Sequence, residues 1–153
     1  MSTSQDDMVQ SAGDLDITPD LLTRFTTSLA TLGMPLILIS GPWHPTHLPA
    51  LIPLARQQSL LVLAAETIYS PASLESFSAT LLAMLRKVDR GKALVAAKRV
   101  YFGVGGSVDE FKRVISEGGG VVFEVENSGV EGCDRGLKSS GGVGRALCEV
   151  QMC

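Results

Sequence analysis

Three short segments of this 153-residue chain place chemically capable side chains directly after apolar runs. Glu66-Thr67-Ile68-Tyr69 follows the run Leu60 to Ala65 and offers a carboxylate and a phenol just beyond it. Trp43 follows the tight turn Ser40-Gly41-Pro42, which delivers an indole. Lys98-Arg99-Val100-Tyr101-Phe102-Gly103 supplies two bases and a second phenol. A carboxylate at the end of a buried strand is a candidate for ligand binding or proton handling. Plainer readings stand beside these. Trp43 also suits a core or rim aromatic, and Glu66 also suits an ion-pair partner for Lys98 or Arg99.

Other constellations carry less. Gly103-Val104-Gly105-Gly106 lies where a phosphate-binding turn would lie. Val108 occupies the last glycine position of the dinucleotide fingerprint, and a Gly-Lys-Ser/Thr ending is missing, so a flexible turn is the better reading. His44 and His47 are three residues apart, but Pro45 keeps them off a regular helix and no cysteine or acidic cluster accompanies them. No metal site is expected. Arg86, Lys87, Arg90, Lys92, Lys98 and Arg99 form a basic run with Asp89 as its one acid, the pattern of a solvated face rather than a nucleic-acid contact.

The elements that must position these groups alternate between helix and strand. Thr18-Pro19-Asp20 predicts a helix start, with a hydroxyl cap, a proline at the first helical position and an acid in the first turn. Its apolar residues are Leu21, Leu22, Phe25 and Leu29, and it stops near Gly33. Pro35 to Ile39, Leu60 to Ala65 and Lys92 to Ala97 are unbroken apolar runs, which suit strands of a parallel sheet buried on both faces. Pro49 and Pro53 predict a short or broken helix over 46–58. Ser70-Pro71 opens a helix carrying Leu74, Phe77, Leu81, Leu82 and Leu85. Ser107 to Glu110 is a capping box for another that ends at Gly118. Val121, Phe123 and Val125 alternate with Val122, Glu124 and Glu126, a period-two strand with one solvated face. A long Gly/Ser-rich loop over 127–144 precedes a last strand with Ala146, Cys148, Val150 and Met152 on one face. The sum is an α/β sheet of three parallel strands plus a C-terminal antiparallel pair.

Composition narrows the class. Hydrophobic residues at 45% and charged residues at 19% exclude wholesale disorder. A net charge of −3 argues against a dedicated nucleic-acid binder. Asp6, Asp7, Asp14, Asp16 and Asp20 make residues 1–17 and their margin an acidic, disordered leader. No apolar run is long enough to cross a bilayer, and no signal peptide is expected. Cys133, Cys148 and Cys153 are read as free thiols in a reducing compartment, so a soluble intracellular chain is expected.

Taken together, Ser40-Gly41-Pro42-Trp43, Ala64 to Pro71 and Ala97 to Gly106 form a set. It resembles the class I, seven-strand methyltransferases that use S-adenosylmethionine to methylate protein histidines, with their SG-x-W turn, SETIY-N/S-P strand end and K-x-x-YFGVGG segment. The resemblance is strongest over 57–117, extends over 34–56 and 120–153, and is absent from 1–17. It implies a partial Rossmann-like methyltransferase sheet over 18–153, lacking the first two strands and the glycine-rich donor-binding turn. Such a chain looks like the C-terminal part of such an enzyme, and is expected to bind donor weakly or be inactive.

The resemblance also implies roles. Gly41 and Trp43 match the turn near the donor's adenine end, and Ala65 and Thr67 the strand end under its methionine part. Glu66 and Tyr69 match the E-x-x-Y element beside the target nitrogen and are the candidate catalytic residues. Pro42 departs from the acidic residue of that turn. The implied substrate is a protein, a ribosomal protein of the large subunit, and the implied location is cytoplasmic and nuclear, with no membrane or nucleic-acid partner. A non-catalytic interaction fragment that keeps the substrate-facing surface is the alternative. Trp43, Glu66, Thr67, Tyr69, Lys98 and Tyr101 are expected on one rim.

Overall fold

The computed structural model describes residues 15–34, 36–125 and 144–153. The chain divides into two units, Met1–Ile39 and Ser40–Cys153. The expected acidic leader lies outside the described residues as far as residue 14, and so does the Gly/Ser-rich loop over 127–143.

In the first unit, helix α1 (Pro19–Thr31) starts where a hydroxyl followed by proline predicts. Thr18 Oγ1 accepts a hydrogen bond from the Leu21 N–H at 3.2 Å, satisfying one of the orphan donors of the first turn. Gly33, at φ 66°, ends the helix. The strand expected at Pro35 to Ile39 is not found: residues 36–39 form no strand. A strand exists only with a hydrogen-bonding neighbour. Here Leu36 and Leu38 instead line an apolar groove of about 570 Å³ with Leu22, Phe25 and Leu29 of α1.

The second unit holds a short helix and the sheet. Helix α2 (His47–Leu51) has five residues and stops before Pro53, as the prolines predict. Then come β1 (Ser59–Ala65), α3 (Pro71–Leu85), β2 (Arg90–Lys98), α4 (Val108–Glu117), β3 (Gly120–Glu124) and β4 (Arg145–Met152). The sheet order is β1-β2-β4-β3. Strands β1 and β2 run parallel, Ala65 opposite Ala96, and β4 lies antiparallel to both β2 and β3. The α/β class and the expected antiparallel pair are therefore present, with residues 120–124 paired to 148–152 and Val122 opposite Val150. Among the described residues the parallel strands number two rather than three, since residues 36–39 of the expected third form no strand.

Local signals explain the helices. Ser70 caps α3 by accepting from the Ser73 N–H at 3.3 Å, and Ser107 caps α4 by accepting from the Glu110 N–H at 3.1 Å. The second half of the capping box goes elsewhere: Glu110 pairs with Arg113 at 2.7 Å. Both helices bury their apolar faces, Leu74, Phe77 and Leu81 of α3 and Phe111 and Ile115 of α4, against Ala93, Val95, Cys148 and Val150 of the central strands. A buried Leu or Phe contributes ~1.5–3 kcal/mol, so this layer holds the unit together.

The other sheet face differs from expectation. In β1 only Leu60, Val62 and Ala64 pack on the core, whereas Leu61 and Leu63 are 54% and 71% exposed. In β3 it is Val122 that packs inward and Phe123 that is exposed. An unbroken apolar run looks the same whether one face is covered or two. Among the described residues of this unit, helices α3 and α4 cover one.

Candidate functional site

The carboxyl ends of β1 and β2 lie side by side because the two strands are parallel and in register. Glu66 is the first residue past β1, and its φ of 56° puts it in the left-handed region. That conformation costs a non-glycine residue on the order of 1–3 kcal/mol and persists only where the surroundings impose it. They do so here. The Glu66 N–H donates to the Ala96 carbonyl at 2.9 Å, holding the backbone against β2. The Tyr101 hydroxyl donates to Glu66 Oε2 at 2.8 Å while accepting from the Lys98 N–H at 3.1 Å. Arg145, first residue of β4, stands 3.8 Å from Glu66 Oε1.

Tyr101 is 7% exposed. Burial pushes its phenol pKa up, the Lys98 N–H partly offsets this, and the Glu66 carboxylate adds to the rise. The phenol therefore stays protonated and can go on donating to Glu66. Lys98 Nζ sits 5.8 Å from the Tyr101 ring centre, within cation–π range. The Arg99 side chain turns away to Glu124.

Beyond Glu66, the Thr67 carbonyl accepts from Ser73 Oγ of α3 at 2.9 Å, and Ile68 is buried. Among the described residues the Thr67 hydroxyl is buried without a partner. Tyr69 is 48% exposed, its carbonyl accepting from the Gly106 N–H at 3.2 Å. Ala65 lies on the open sheet face, where it joins Leu63, Leu94, Ala96 and Leu147 around a shallow cleft of about 310 Å³.

The structure thus brings Glu66, Tyr101 and the Lys98 backbone into one hydrogen-bonded group, with Thr67 and Tyr69 on the same turn. Trp43 has a different neighbour. It packs edge-to-face on Phe77 of α3, ring centres 5.2 Å apart, and the hydrogen bonds around Glu66 do not extend to it. Gly41 is exposed in the turn before it. His44 and His47 stack at 4.2 Å, and His44 Nδ1 accepts from the Thr46 N–H at 3.3 Å, an N-terminal turn contact at α2. Among the described residues no group of three metal-capable side chains forms. Much of the basic run has internal partners: Arg86 on the Gly118 carbonyl, Lys92 on Glu149 and Arg99 on Glu124.

No protein-family model matches the chain. Histidine protein methyltransferase 1 of Schizosaccharomyces pombe is 40% identical over 111 residues, which are 71% of this chain and 31% of that protein. The chain is similar to the histidine protein methyltransferases. The protein of that name from Saccharomyces cerevisiae is 36% identical over 107 residues, 68% of this chain and 28% of that one. A homologue from Rattus norvegicus is 42% identical over 78 residues, 51% and 20% of the two chains. This chain spans less than a third of the length of each of these relatives. Among solved structures, an S-adenosylmethionine-dependent methyltransferase from Clostridium acetobutylicum superposes with a TM-score of 0.47 at 10% identity, over 90% of this chain and 73% of that one.

Arg145 and Gly106 were not among the candidate residues. Arg145 reaches Glu66 only through the antiparallel register of β4, opposite Lys98. No local pattern announces it. Gly106 had a signal, its place in Tyr101 to Gly106, but its contact is with the Ile68–Tyr69 backbone, more than thirty residues earlier.

Proposed function

We propose that the carboxyl ends of β1 and β2 form part of a methyl-transfer site, at which S-adenosylmethionine methylates a histidine side chain of a protein. One observation carries the reading: Tyr101 holds Glu66 Oε2 at 2.8 Å, while Oε1, with Arg145 Nη1 3.8 Å away and beyond hydrogen-bond distance, can still accept an incoming N–H. The 40% identity to a histidine protein methyltransferase supports it. The residues present fit one end of such a donor. Among the described residues the Thr67 hydroxyl is buried with no partner, and Ala65 and Ala96 line a cleft on the open sheet face. Ala65 and Thr67 would hold the methionine part, and Gly41 and Trp43 the adenine end.

When bound, the donor supplies a methyl group on a positively charged sulfur. A neutral imidazole has one N–H and one lone pair. Glu66 Oε1 accepts the N–H, which orients the lone pair of the other nitrogen toward the methyl carbon. A donor held there would supply its methyl group to that nitrogen lone pair, with the carbon–sulfur bonding pair staying on sulfur. The N–H proton of the now cationic ring passes to Glu66 Oε1. Tyr69 borders the ring and helps exclude water. A ribosomal protein of the large subunit as substrate, and a cytoplasmic and nuclear location, belong to the same proposal.

The alternative is a non-catalytic fragment that binds a protein through this surface, and the open sheet face with Leu61 and Leu63 favours it. Amide chemical shifts of the labelled chain separate the two. Under the methyl-transfer reading, S-adenosylmethionine shifts the amides of Ala65 to Tyr69 and Ala96 to Lys98, and a histidine peptide added afterwards shifts Glu66 and Tyr69 further. Donor that leaves these amides unmoved, or moves those of Ser59 and Arg90 at the opposite strand ends, overturns it.

A further inference from the structure

We infer that Tyr101 and Gly106 are positioning residues that set the Glu66–Tyr69 turn, an inference that rests on the methyl-transfer reading only for what the turn is for. The turn begins with Glu66 in the left-handed region, so its shape must be imposed from outside. Two contacts from the segment after β2 do this. The Tyr101 hydroxyl holds Glu66 Oε2 at 2.8 Å, and the Gly106 N–H holds the Tyr69 carbonyl at 3.2 Å. The first fixes the carboxylate and the second fixes the far end of the same turn.

The two contacts form one unit. The Tyr101 N–H donates to the Gly106 carbonyl at 2.9 Å, and the Tyr101 carbonyl accepts from Val104 and Gly105. Gly103 and Gly105, at φ 77° and 91°, allow this closed loop, a demand that side chains rarely meet. Gly106 is buried, and a Cβ there would collide with the Ile68 carbonyl oxygen and stand 2.6 Å from the Tyr69 carbonyl carbon. Both of those atoms are backbone, which cannot swing aside. The glycine-rich segment is therefore a brace against the neighbouring turn rather than a loose connection.

The test needs no donor and uses the full chain. Tyr69 and Tyr101 are its two tyrosines, so a Tyr69→Phe background leaves Tyr101 as the one phenol to titrate by ultraviolet absorbance. Adding Glu66→Gln should lower the midpoint of phenolate formation, because the carboxylate that disfavours ionisation is gone. A midpoint that does not move overturns the role of Tyr101. Tyr101→Phe should shift the amides of Glu66 and Thr67 while leaving those of α4 in place. Gly106→Ala should displace the amides of Ile68 and Tyr69, and a folded Gly106→Ala chain with those signals unchanged overturns the role of Gly106. Donor that moves no amide of the unaltered chain removes the methyl-transfer reading and leaves these results standing.

Discussion

Arg99 Nη2 lies 2.6 Å from Glu124 Oε2 and joins the turn after β2 to the edge strand β3. Lys112 of α4 takes the other carboxylate oxygen, so three elements meet at one side chain. The hydrogen bonds from Arg99 and then Lys112 hold the Glu124 carboxyl down at about 2. A carboxyl lowered by folding stabilises the protein above its unfolded pKa, about 4.3, and that contribution fades as pH falls toward about 2.

Glu124 is partly solvated, so its contribution is about 1–2 kcal/mol rather than the full value of the shift. Thermal unfolding followed by circular dichroism should lose that much between about pH 5 and pH 2. Glu124→Gln should lower stability near neutral pH and flatten this part of the profile. An unchanged profile in the variant would show that other carboxylates carry the acid response.

Glu66 offers a second prediction through its backbone. Glycine adopts φ 56° without penalty, whereas a β-branched residue does not. Glu66→Val should therefore be about 1–2 kcal/mol less stable than Glu66→Gly in chemical denaturation. Equal stabilities would mean that the turn relaxes once the carboxylate is removed.

The open sheet face makes a third. Leu61, Leu63 and Phe123 are exposed on it, and β1 is a seven-residue edge strand without charge or proline. Such an edge and face favour association. Sedimentation should show the chain self-associating with rising concentration, and Leu63→Lys should suppress this. The melting temperature should stay within a few degrees, since a largely exposed side chain contributes little to the core.

A fourth concerns donor affinity. Glu66 is the one carboxylate in the turns that follow β1 and β2, and it is already bonded to Tyr101. A bound donor's ribose hydroxyls would find no free carboxylate there. Each unmade hydrogen bond forgoes about 1 kcal/mol, so several together weaken binding by ~10³-fold relative to a full pocket. Calorimetric titration with S-adenosylmethionine should give a weak but saturable isotherm. A dissociation constant of about 1 µM would show that other residues of the chain complete the pocket.

What the sequence disclosed follows the range of the interactions. Ser70-Pro71 and Ser107 through Glu110 announce α3 and α4 because a cap is settled within four residues. Residues 36–39 look like a strand, yet pairing depends on a neighbour that local composition cannot specify. The position of Glu66 and Tyr69 past a strand end was legible. The bond from Tyr101 was not, since it spans thirty-five residues and depends on the parallel register. Glu124 misled in a different way. Alternation suggests that a glutamate faces water, but Arg99 and Lys112 give it partners on the helix-covered side.

Strand β4 is made after β3 yet lies between β2 and β3 in the sheet. Until residues 145–152 have left the ribosome, β3 has no strand to bond to and β2 has a bare flank where Cys148 and Val150 will sit. The nascent chain up to Glu124 can form its βαβ unit, but the sheet can close only after synthesis has passed Met152. A protease that trims those eight residues would therefore undo the middle of the sheet rather than shorten its rim.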